Sequence, residues 1–187
     1  MTTALVLAAG LGRRLRTVTD GPKWLVPVGD RTPASQQLAA CIETPTIDRM
    51  VVVASPDRDD IAAVLDAKRA QIPIDVVVNH DSERWNNWSS ALLGFEAVAD
   101  DDAVLLMNSD VFAAVEWFRA GIDALAEQVD PALLIDVDKP LTDEAMKVGG
   151  NGDRLATIGK VGVDDPLGEY VGLAWWPASQ RANLRRR

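Results

Sequence analysis

Residues 7–28, LAAGLGRRLRTVTDGPKWLVPV, decide the fold of this chain, because they join a short apolar strand to a basic loop that contains glycine. The run that leads into the loop, residues 3–8, is apolar and too short for a typical helix, which predicts a buried parallel strand. Gly10 and Gly12 have no Cβ, so the backbone can turn sharply there and point its N–H groups at phosphate oxygens. The pattern predicts a loop that binds a polyanion at the end of a strand.

Basic side chains complete this loop. Arg13, Arg14 and Arg16 supply guanidinium groups that match phosphate geometry, and Lys23 adds a point charge next to the stiff backbone of Pro22. The segment is not GxxxxGK[ST], and it lacks the third glycine of GxGxxG, so neither common nucleotide motif applies. An ordinary glycine-rich connection is the alternative interpretation.

The order of residues in this segment, from LAAG through the paired arginines to PKWLVPV, resembles the signature of the sugar-phosphate nucleotidyltransferase family. Members of that family join a nucleoside triphosphate to a phosphorylated small molecule. The resemblance implies an α/β fold: a three-layer α/β/α, Rossmann-like (GT-A-like) domain with a mostly parallel sheet and a small β-rich extension that binds the acceptor.

Apolar segments alternate with helical stretches along the chain, which predicts βαβ units and a mostly parallel sheet covered on both faces. Ligands of such sheets bind at the carboxyl ends of the strands, where the loop after Ala8 lies. Turn residues are expected over 149–153. The predicted strands are 3–8, 49–54, 74–79, 103–107, 132–137, 154–160 and 169–175, and the predicted helices are 34–41, 57–70, 88–98 and 113–128.

Composition limits the class of protein. The 187 residues, 48% of them hydrophobic, suit one domain, which we expect over 1–177, with a basic tail over 178–187 that reads as truncated or irregular. The net charge of -9 argues against a nucleic-acid partner but not against a nucleotide, which needs only a local basic patch. One cysteine, Cys41, excludes an internal disulfide, and no run reaches membrane-spanning length, so we expect a cytoplasmic protein of undetermined oligomeric state without a membrane partner.

Asp110 is the candidate metal ligand. It follows the apolar strand 103–107 and therefore lies at the same sheet edge as the glycine loop. Mg²⁺ in nucleotide sites is usually held by one or two carboxylates together with phosphate oxygens and water, so we expect Mg²⁺ as the cofactor. An N-cap for the helix that follows is the alternative role for this aspartate.

Asn86, Asn87 and Ser90 follow the third predicted strand and begin a helix. Amide and hydroxyl groups at such an edge can recognise a base through paired donors and acceptors. Their spacing resembles the base-recognition segment of the phosphocholine cytidylyltransferase-like branch of the family, which uses CTP. A helix cap followed by solvent-facing polar residues explains the same pattern.

Two lysines and a later strand resemble the same branch. Lys147 and Lys160 would present positive charge to the acceptor phosphate or to the α-phosphate under attack, although isolated lysines are usually solvated surface charges. Glu169, Tyr170 and Gly172 would bind the acceptor. Six tryptophans could supply cation-π contacts for a quaternary ammonium group, or could simply pack in the core.

The family resemblance implies attack by an acceptor phosphate oxygen on the α-phosphorus of the triphosphate, catalysed by positioning and electrostatics. CTP is the favoured donor, and phosphocholine, a phosphonate, a polyol phosphate or a sugar phosphate is the acceptor. The residues assigned to catalysis are Arg13, Lys23, Lys147 and Lys160, and those assigned to the nucleotide are Ala8, Ala9, Gly10, Gly12, Arg13, Lys23, Asn86, Asn87 and Ser90.

Two other functions stay open. A nucleotide-sugar-dependent glycosyltransferase would use a DxD metal motif, which Asp136 and Asp138 match formally, but the PKWLVPV segment argues against it. Family members also supply a second metal-binding aspartate from a later strand, and this chain has no counterpart before Arg187. A truncated, non-catalytic nucleotide-binding protein is therefore the other alternative.

Overall fold

The structure is a computed structural model that describes residues 1–10, 12, 15, 21–85, 87–151 and 154–181. Within these residues one mixed sheet runs through the molecule in the order β3-β2-β1-β4-β8-β6-β7, and β5 pairs with the other edge of β8. The strands are β1 (Thr2–Leu7), β2 (Arg49–Ala54), β3 (Ile74–Val78), β4 (Ala103–Asn108), β5 (Ala132–Asp136), β6 (Lys147–Asn151), β7 (Arg154–Gly159) and β8 (Gly168–Trp176).

Strands β1 to β4 form the parallel half of the sheet. Leu7 of β1 lies opposite Val53 of β2 on one side and Asn108 of β4 on the other, so the carboxyl ends of three strands meet at one edge. Strands β1, β2 and β4 are buried because helices cover both faces, which explains their apolar composition, whereas most residues of the edge strand β3 are exposed or half-buried. The predicted α/β architecture is confirmed.

Four α-helices were identified in the described residues: α1 (Pro33–Glu43), α2 (Asp59–Asp66), α3 (Asn87–Ala97) and α4 (Val115–Ala126). Leu38 of α1 and Phe118 of α4 belong to one apolar cluster, on the same side as Met107 of the sheet. Phe95 of α3 packs against a second cluster, which contains Leu5. The sheet is therefore the middle layer of three.

Local sequence fixes where α1 begins. Thr32 is the N-cap, and its hydroxyl accepts a hydrogen bond from the backbone N–H of Ser35 at 3.0 Å. The Ser35 hydroxyl in turn accepts from the backbone N–H of Thr32, which completes a capping box, and Pro33 occupies the first helical position. This start sets which residues of α1 face the sheet.

The antiparallel half continues the same sheet. Strand β8 runs antiparallel to β4, with Met107 opposite Leu173, and its first residues pair with β6 instead. The β-rich extension was predicted to contain the strands 154–160 and 169–175, but β8 belongs to the central sheet beside β4, and only β6 and β7 lie beyond it.

Two sequence predictions were wrong in detail. Of the predicted turn residues 149–153, residues 149–151 belong to β6, and 152–153 lie outside the described residues. Glycine serves close packing here, since a Cβ on Gly150 would lie 2.4 Å from the carbonyl oxygen of Arg154. The helix predicted over 57–70 spans only Asp59–Asp66. The residues beyond it form turns, in which Arg69 pairs with Asp66 and donates a hydrogen bond to the carbonyl of Ile74.

Arg181 lies within the predicted basic tail but is buried, and its guanidinium donates hydrogen bonds to the carbonyls of Phe95 at 3.1 Å and Val98 at 3.4 Å. The boundary between domain and tail at residue 177 stays a prediction.

None of the described helices is both long enough and apolar enough to cross a membrane.

Candidate active site

The site is built at the carboxyl ends of β1 and β4. Beyond β1 the chain stays buried through Ala8 and Ala9, and the backbone N–H of Ala8 donates to the carbonyl of Val53 at 2.8 Å. Gly10 is then exposed, and a Cβ placed on it would meet no atom of the described residues within 4 Å. The backbone after β1 therefore emerges from the core with open space beside it.

Lys23 and Asp110 come together at this edge. Lys23 begins a short 3₁₀ helix, Lys23–Leu25, and its Nζ lies 3.3 Å from Oδ2 of Asp110. The side chains are 36% and 54% exposed, so both charges are accessible to a ligand. An exposed ion pair of this kind contributes at most about 1 kcal/mol to stability, so folding alone does not account for the arrangement.

Gly12 holds the glycine loop against the Lys23 side chain. Its φ of +55° is in the left-handed region, and a Cβ there would lie 3.2 Å from Cγ of Lys23. The absence of a side chain at position 12 therefore allows both the backbone turn and the close approach to the lysine stem.

Asp110 sits in a tight turn formed by residues 108–111. The backbone N–H of Val111 donates to the carbonyl of Asn108 at 3.4 Å. Gly172 of β8 packs against this turn with φ of +92°, where a Cβ would lie 2.5 Å from Cγ2 of Val111. Asp110 is therefore positioned by a turn that is packed against β8, and no N-cap role is seen, since Ala114 is the N-cap of α4.

A buried amide on α1 also contacts this turn, and the sequence analysis did not find it. Gln37 Nε2 donates to the carbonyls of Asn108 at 3.0 Å and Val111 at 2.9 Å, and its Oε1 accepts from the indole N–H of Trp24 at 3.0 Å. The available signal was a glutamine on the apolar face of α1, at helical spacing from Ala34, Leu38 and Cys41.

Tyr170 of β8 is influenced by the charge of Asp110. Burial raises the pKa of the Tyr170 phenol well above its usual range, and the negative charge of Asp110 raises this pKa further. The phenol is therefore neutral at physiological pH. Of the three residues predicted to bind the acceptor, Gly172 packs against the turn that carries Asp110, and Tyr170 is subject to the charge of that carboxylate.

The third, Glu169, makes an ion pair with Lys139, whose Nζ lies 3.0 Å from Glu169 Oε2. The sequence analysis did not single out Lys139. Glu169 also lies opposite Lys147 of β6 in the register of the sheet. These charges therefore lie where β8 passes from β4 to β6.

The two candidate lysines of the extension contact each other. Lys147 Nζ donates to the backbone carbonyl of Lys160 at 2.8 Å, and Lys160 Nζ lies 2.7 Å from Oε2 of Glu144. Their roles toward an acceptor stay predictions.

The segment predicted to recognise the base begins at the carboxyl end of β3. Asn79 is buried, and its Nδ2 donates to the hydroxyls of Ser89 at 3.1 Å and Ser90 at 2.9 Å. Ser90 is itself buried, whereas Asn87 is exposed at the start of α3. The hydroxyl of Ser90 therefore ties α3 to the end of β3, and contact with a base stays a prediction for both residues.

Several predicted residues lie outside the part of the chain that the structure describes: Arg13, Arg14, Arg16 and Asn86. The six tryptophans differ in burial, and Trp176 is half-buried and Trp117 exposed. Trp24 and Trp175 are buried, whereas Trp85 and Trp88 are exposed on either side of position 86, with ring centroids 5.6 Å apart.

The donor set for a metal ion is small. Among the described residues no group of three or more His, Cys, Asp or Glu side chains could hold an ion. A single accessible carboxylate, Asp110, suits Mg²⁺ that receives most of its ligands from phosphate oxygens and water. In the DxD pattern, Asp136 Oδ1 accepts hydrogen bonds from the backbone N–H groups of Asp138 and Lys139 at 3.0 and 3.2 Å. This oxygen is therefore already engaged within the local turn.

Nucleotide-binding proteins typically have a three-layer α/β domain whose ligand binds at the carboxyl ends of the strands. At this edge the present chain carries glycines, a lysine and a carboxylate. The family model described as "MobA-like NTP transferase domain" matches residues 4–140, and the chain belongs to this family. The predicted membership among nucleotidyltransferases is thereby confirmed. The narrower resemblance to the phosphocholine branch stays a prediction.

A curated relative supports the same class. The 2-C-methyl-D-erythritol 4-phosphate cytidylyltransferase of Corynebacterium diphtheriae is 34% identical over 110 residues, which is 59% of this chain and 44% of that protein. The same-named protein of Escherichia fergusonii is 34% identical over 106 residues, 57% of this chain and 42% of that protein. The matched region thus spans less than half the length of these relatives.

Solved structures share the fold. The inositol-1-phosphate CTP transferase from T. maritima superposes with a TM-score of 0.75 at 24% identity, covering 100% of this chain and 74% of the other. A putative glucose-1-phosphate thymidylyltransferase from Bacillus anthracis gives a TM-score of 0.78 at 16% identity, covering 100% and 75%. At these identities the likeness concerns the fold.

Proposed function

We propose that this protein transfers CMP from CTP to a phosphorylated small molecule and releases pyrophosphate. The observation that carries the proposal is the accessible Lys23–Asp110 pair, 3.3 Å apart, at the sheet edge where β1 and β4 both end. Membership of the NTP transferase family and the names of the curated relatives, which are cytidylyltransferases, support the reaction class and the choice of CTP.

Binding of the triphosphate uses backbone and charge together. The residues after β1 would offer N–H groups to the phosphate oxygens, with Ala8, Ala9, Gly10 and Gly12 as the proposed contacts. Lys23 would move its ammonium from Asp110 to the phosphates, which carry more negative charge than one carboxylate. Arg13 is proposed to assist on the same side.

Asp110 is the proposed ligand for Mg²⁺. When bound, the ion would neutralise part of the charge on the phosphate oxygens. Without ligand, Lys23 and Asp110 neutralise each other. In the complex Lys23 would pair with the phosphates and Asp110 with Mg²⁺, so neither charge would lose an opposite partner.

The chemical step needs no nucleophile from the protein. An oxygen of the acceptor phosphate forms a bond to the α-phosphorus, the bond from that phosphorus to the bridging oxygen breaks, and pyrophosphate leaves with the electron pair. The protein would contribute by orienting the two substrates and by stabilising negative charge, with Lys147 and Lys160 on the acceptor side.

The acceptor would bind near β8. Glu169, Tyr170 and Gly172 are proposed to form this part of the site, and the neutral Tyr170 phenol can donate a hydrogen bond to an anionic acceptor.

Asn86, Asn87 and Ser90 are proposed to recognise the base. A domain that ends at 177 and a cytoplasmic location are part of the same proposal.

A pyrophosphate-release assay tests the function. The purified chain is supplied with Mg²⁺, each of the four common ribonucleoside triphosphates, and an acceptor panel: methylerythritol 4-phosphate, inositol 1-phosphate, phosphocholine, aminoethylphosphonate and hexose 1-phosphates. We expect turnover with CTP and one acceptor class, at least roughly tenfold above the other triphosphates. Binding of CTP without turnover on any acceptor would support the non-catalytic alternative, and hydrolysis of a nucleotide sugar would support the glycosyltransferase.

A further inference from the structure

Gln37 connects the two halves of the candidate site. Its side chain is fully buried on α1, and its amide touches both the segment that carries Lys23 and the turn that carries Asp110. We propose that Gln37 is a positioning residue that sets the separation of Lys23 and Asp110. The catalytic consequence of this inference rests on the proposed function, whereas the structural coupling can be tested without it.

The contacts form a closed ring. Trp24 is bonded covalently to Lys23 and donates its indole N–H to Gln37 Oε1 at 3.0 Å. The Gln37 amide then donates to the 108–111 turn, which presents Asp110 to Lys23 at 3.3 Å. A shift of the Gln37 amide therefore moves both charged groups.

Both hydrogen bonds that the Gln37 amide donates end on the turn that carries Asp110. They reach the carbonyls of Asn108 and Val111, which are the first and last residues of the turn. The turn itself is closed by only one backbone hydrogen bond, from Val111 N–H to the Asn108 carbonyl, and this bond is long at 3.4 Å. Gln37 thus adds two side-chain hydrogen bonds to the one backbone bond that closes this turn.

No other natural side chain of the same size reproduces this pattern. The amide accepts from one segment and donates twice to the other. Glutamate keeps the volume and the acceptor for Trp24 but loses both donors and places an oxygen against two carbonyls. Methionine keeps the volume and loses all three bonds.

The neighbouring residue offers a matched control. Gln36 is also buried on α1, and its amide donates to a backbone carbonyl, that of Ala113, at 2.9 Å. This carbonyl lies beyond the turn that carries Asp110. Gln36→Met therefore removes a similar buried amide from the same helix without touching either end of the ring.

Amide hydrogen exchange tests the coupling without any assumption about activity. In Gln37→Met and Gln37→Glu we expect the N–H groups of Leu25, Val26 and Val111 to exchange at least about tenfold faster than in the parent protein. Amides of β2 should change much less, and Gln36→Met should leave the three reporters within about threefold. Equal acceleration in β2, or unchanged reporters in both Gln37 variants, would overturn the proposal.

Kinetics test the catalytic consequence. With CTP and the best acceptor, Gln37→Met should lower kcat by about tenfold or more, and Gln36→Met by less than about threefold. In an Asp110→Asn background the further effect of Gln37→Met should shrink to about threefold or less, because Gln37 sets the distance between Lys23 and a carboxylate that this background lacks. A full tenfold loss in this background would reject positioning through Asp110. If the parent protein turns over no triphosphate, the proposed function fails and the exchange experiment alone decides the role of Gln37.

Discussion

The ammonium group of Lys23 lies 3.3 Å from Oδ2 of Asp110, although the two residues are separated by 87 positions in the chain. They meet because β1 and β4 are parallel neighbours, with Leu7 opposite Asn108, so the chain leaves both strands at the same edge. Each side chain is partly exposed, and together they form a cationic and an anionic point that a metal-bound triphosphate can engage.

Lys23→Ala should lower turnover by roughly a hundredfold or more, because it removes the ammonium group that is proposed to bind the phosphates. The fold should persist, since an exposed ion pair contributes little to stability. Steady-state kinetics and thermal unfolding measure the two effects. Lys68→Ala, beyond the end of α2, is the control and should behave like the parent protein. Near-parental turnover in Lys23→Ala would refute the assigned role.

Two alanine substitutions in the glycine loop should separate folding from binding. Gly12→Ala should lower stability by about 1 kcal/mol or more, because its φ is +55° and the new Cβ would lie 3.2 Å from Lys23 Cγ. Gly10→Ala should leave the melting temperature unchanged, since its Cβ meets no atom of the described residues within 4 Å. If the triphosphate occupies that space, Gly10→Ala weakens CTP binding, which calorimetry measures. Parental affinity in this variant would place the nucleotide elsewhere.

Gly172→Ala should both destabilise the protein and reduce turnover. A φ of +92° is strained for any residue with a side chain, at a cost of about 1 to 3 kcal/mol, and the new Cβ would lie 2.5 Å from Val111 Cγ2. The clash pushes on the turn that carries Asp110. Adding Val111→Ala removes the clashing methyl group, so turnover should recover more than stability does. No recovery would show that the turn is insensitive to β8.

The ionisation of the single tyrosine should report on Asp110. Tyr170 is the only tyrosine in the chain, so absorbance of the tyrosinate follows it alone. In the folded protein its pKa should lie above the usual value of about 10, chiefly because of burial and secondarily because of Asp110. Asp110→Asn should lower this pKa without restoring the usual value. An unshifted pKa in the parent protein would contradict the placement of Tyr170.

The same shift predicts how stability depends on pH. Because the folded state raises the pKa of Tyr170, it holds the phenolic proton more tightly than the unfolded chain does. The resulting stabilisation is complete below pH about 10 and is lost as pH rises through the folded pKa. Burial of Cys41, which raises the pKa of its thiol to about 12, acts with the same sign. The free energy of unfolding should therefore fall at alkaline pH, and denaturant titrations measure it.

Local pattern predicted the parallel half of the sheet well. Residues 3–8 and 49–54 were identified as strands from apolar runs and turn signals, and β1 and β2 occupy nearly these ranges. Such runs are informative because strands covered on both faces must be apolar throughout. The glycines of β6 misled the same reasoning, since their role is close approach to β7 and not a turn.

The candidate site was predictable only in part. Lys23 and Asp110 follow from the expectation that loops after parallel strands share an edge. Gln37 does not, because its function depends on three partners in two distant segments, Trp24 and the turn at 108–111. The acceptor side depends likewise on which residue of β8 lies against that turn, which is Gly172.

By itself the sequence determined the class of fold and the basic glycine loop after β1, because apolar periodicity and glycine content act locally along the chain. Only the tertiary structure decided that Lys23 faces Asp110, that the half-buried Tyr170 feels the charge of that carboxylate, and that one amide on α1 joins the two charged segments. Those relationships depend on strand order and register, which arise when distant segments bury their apolar faces together.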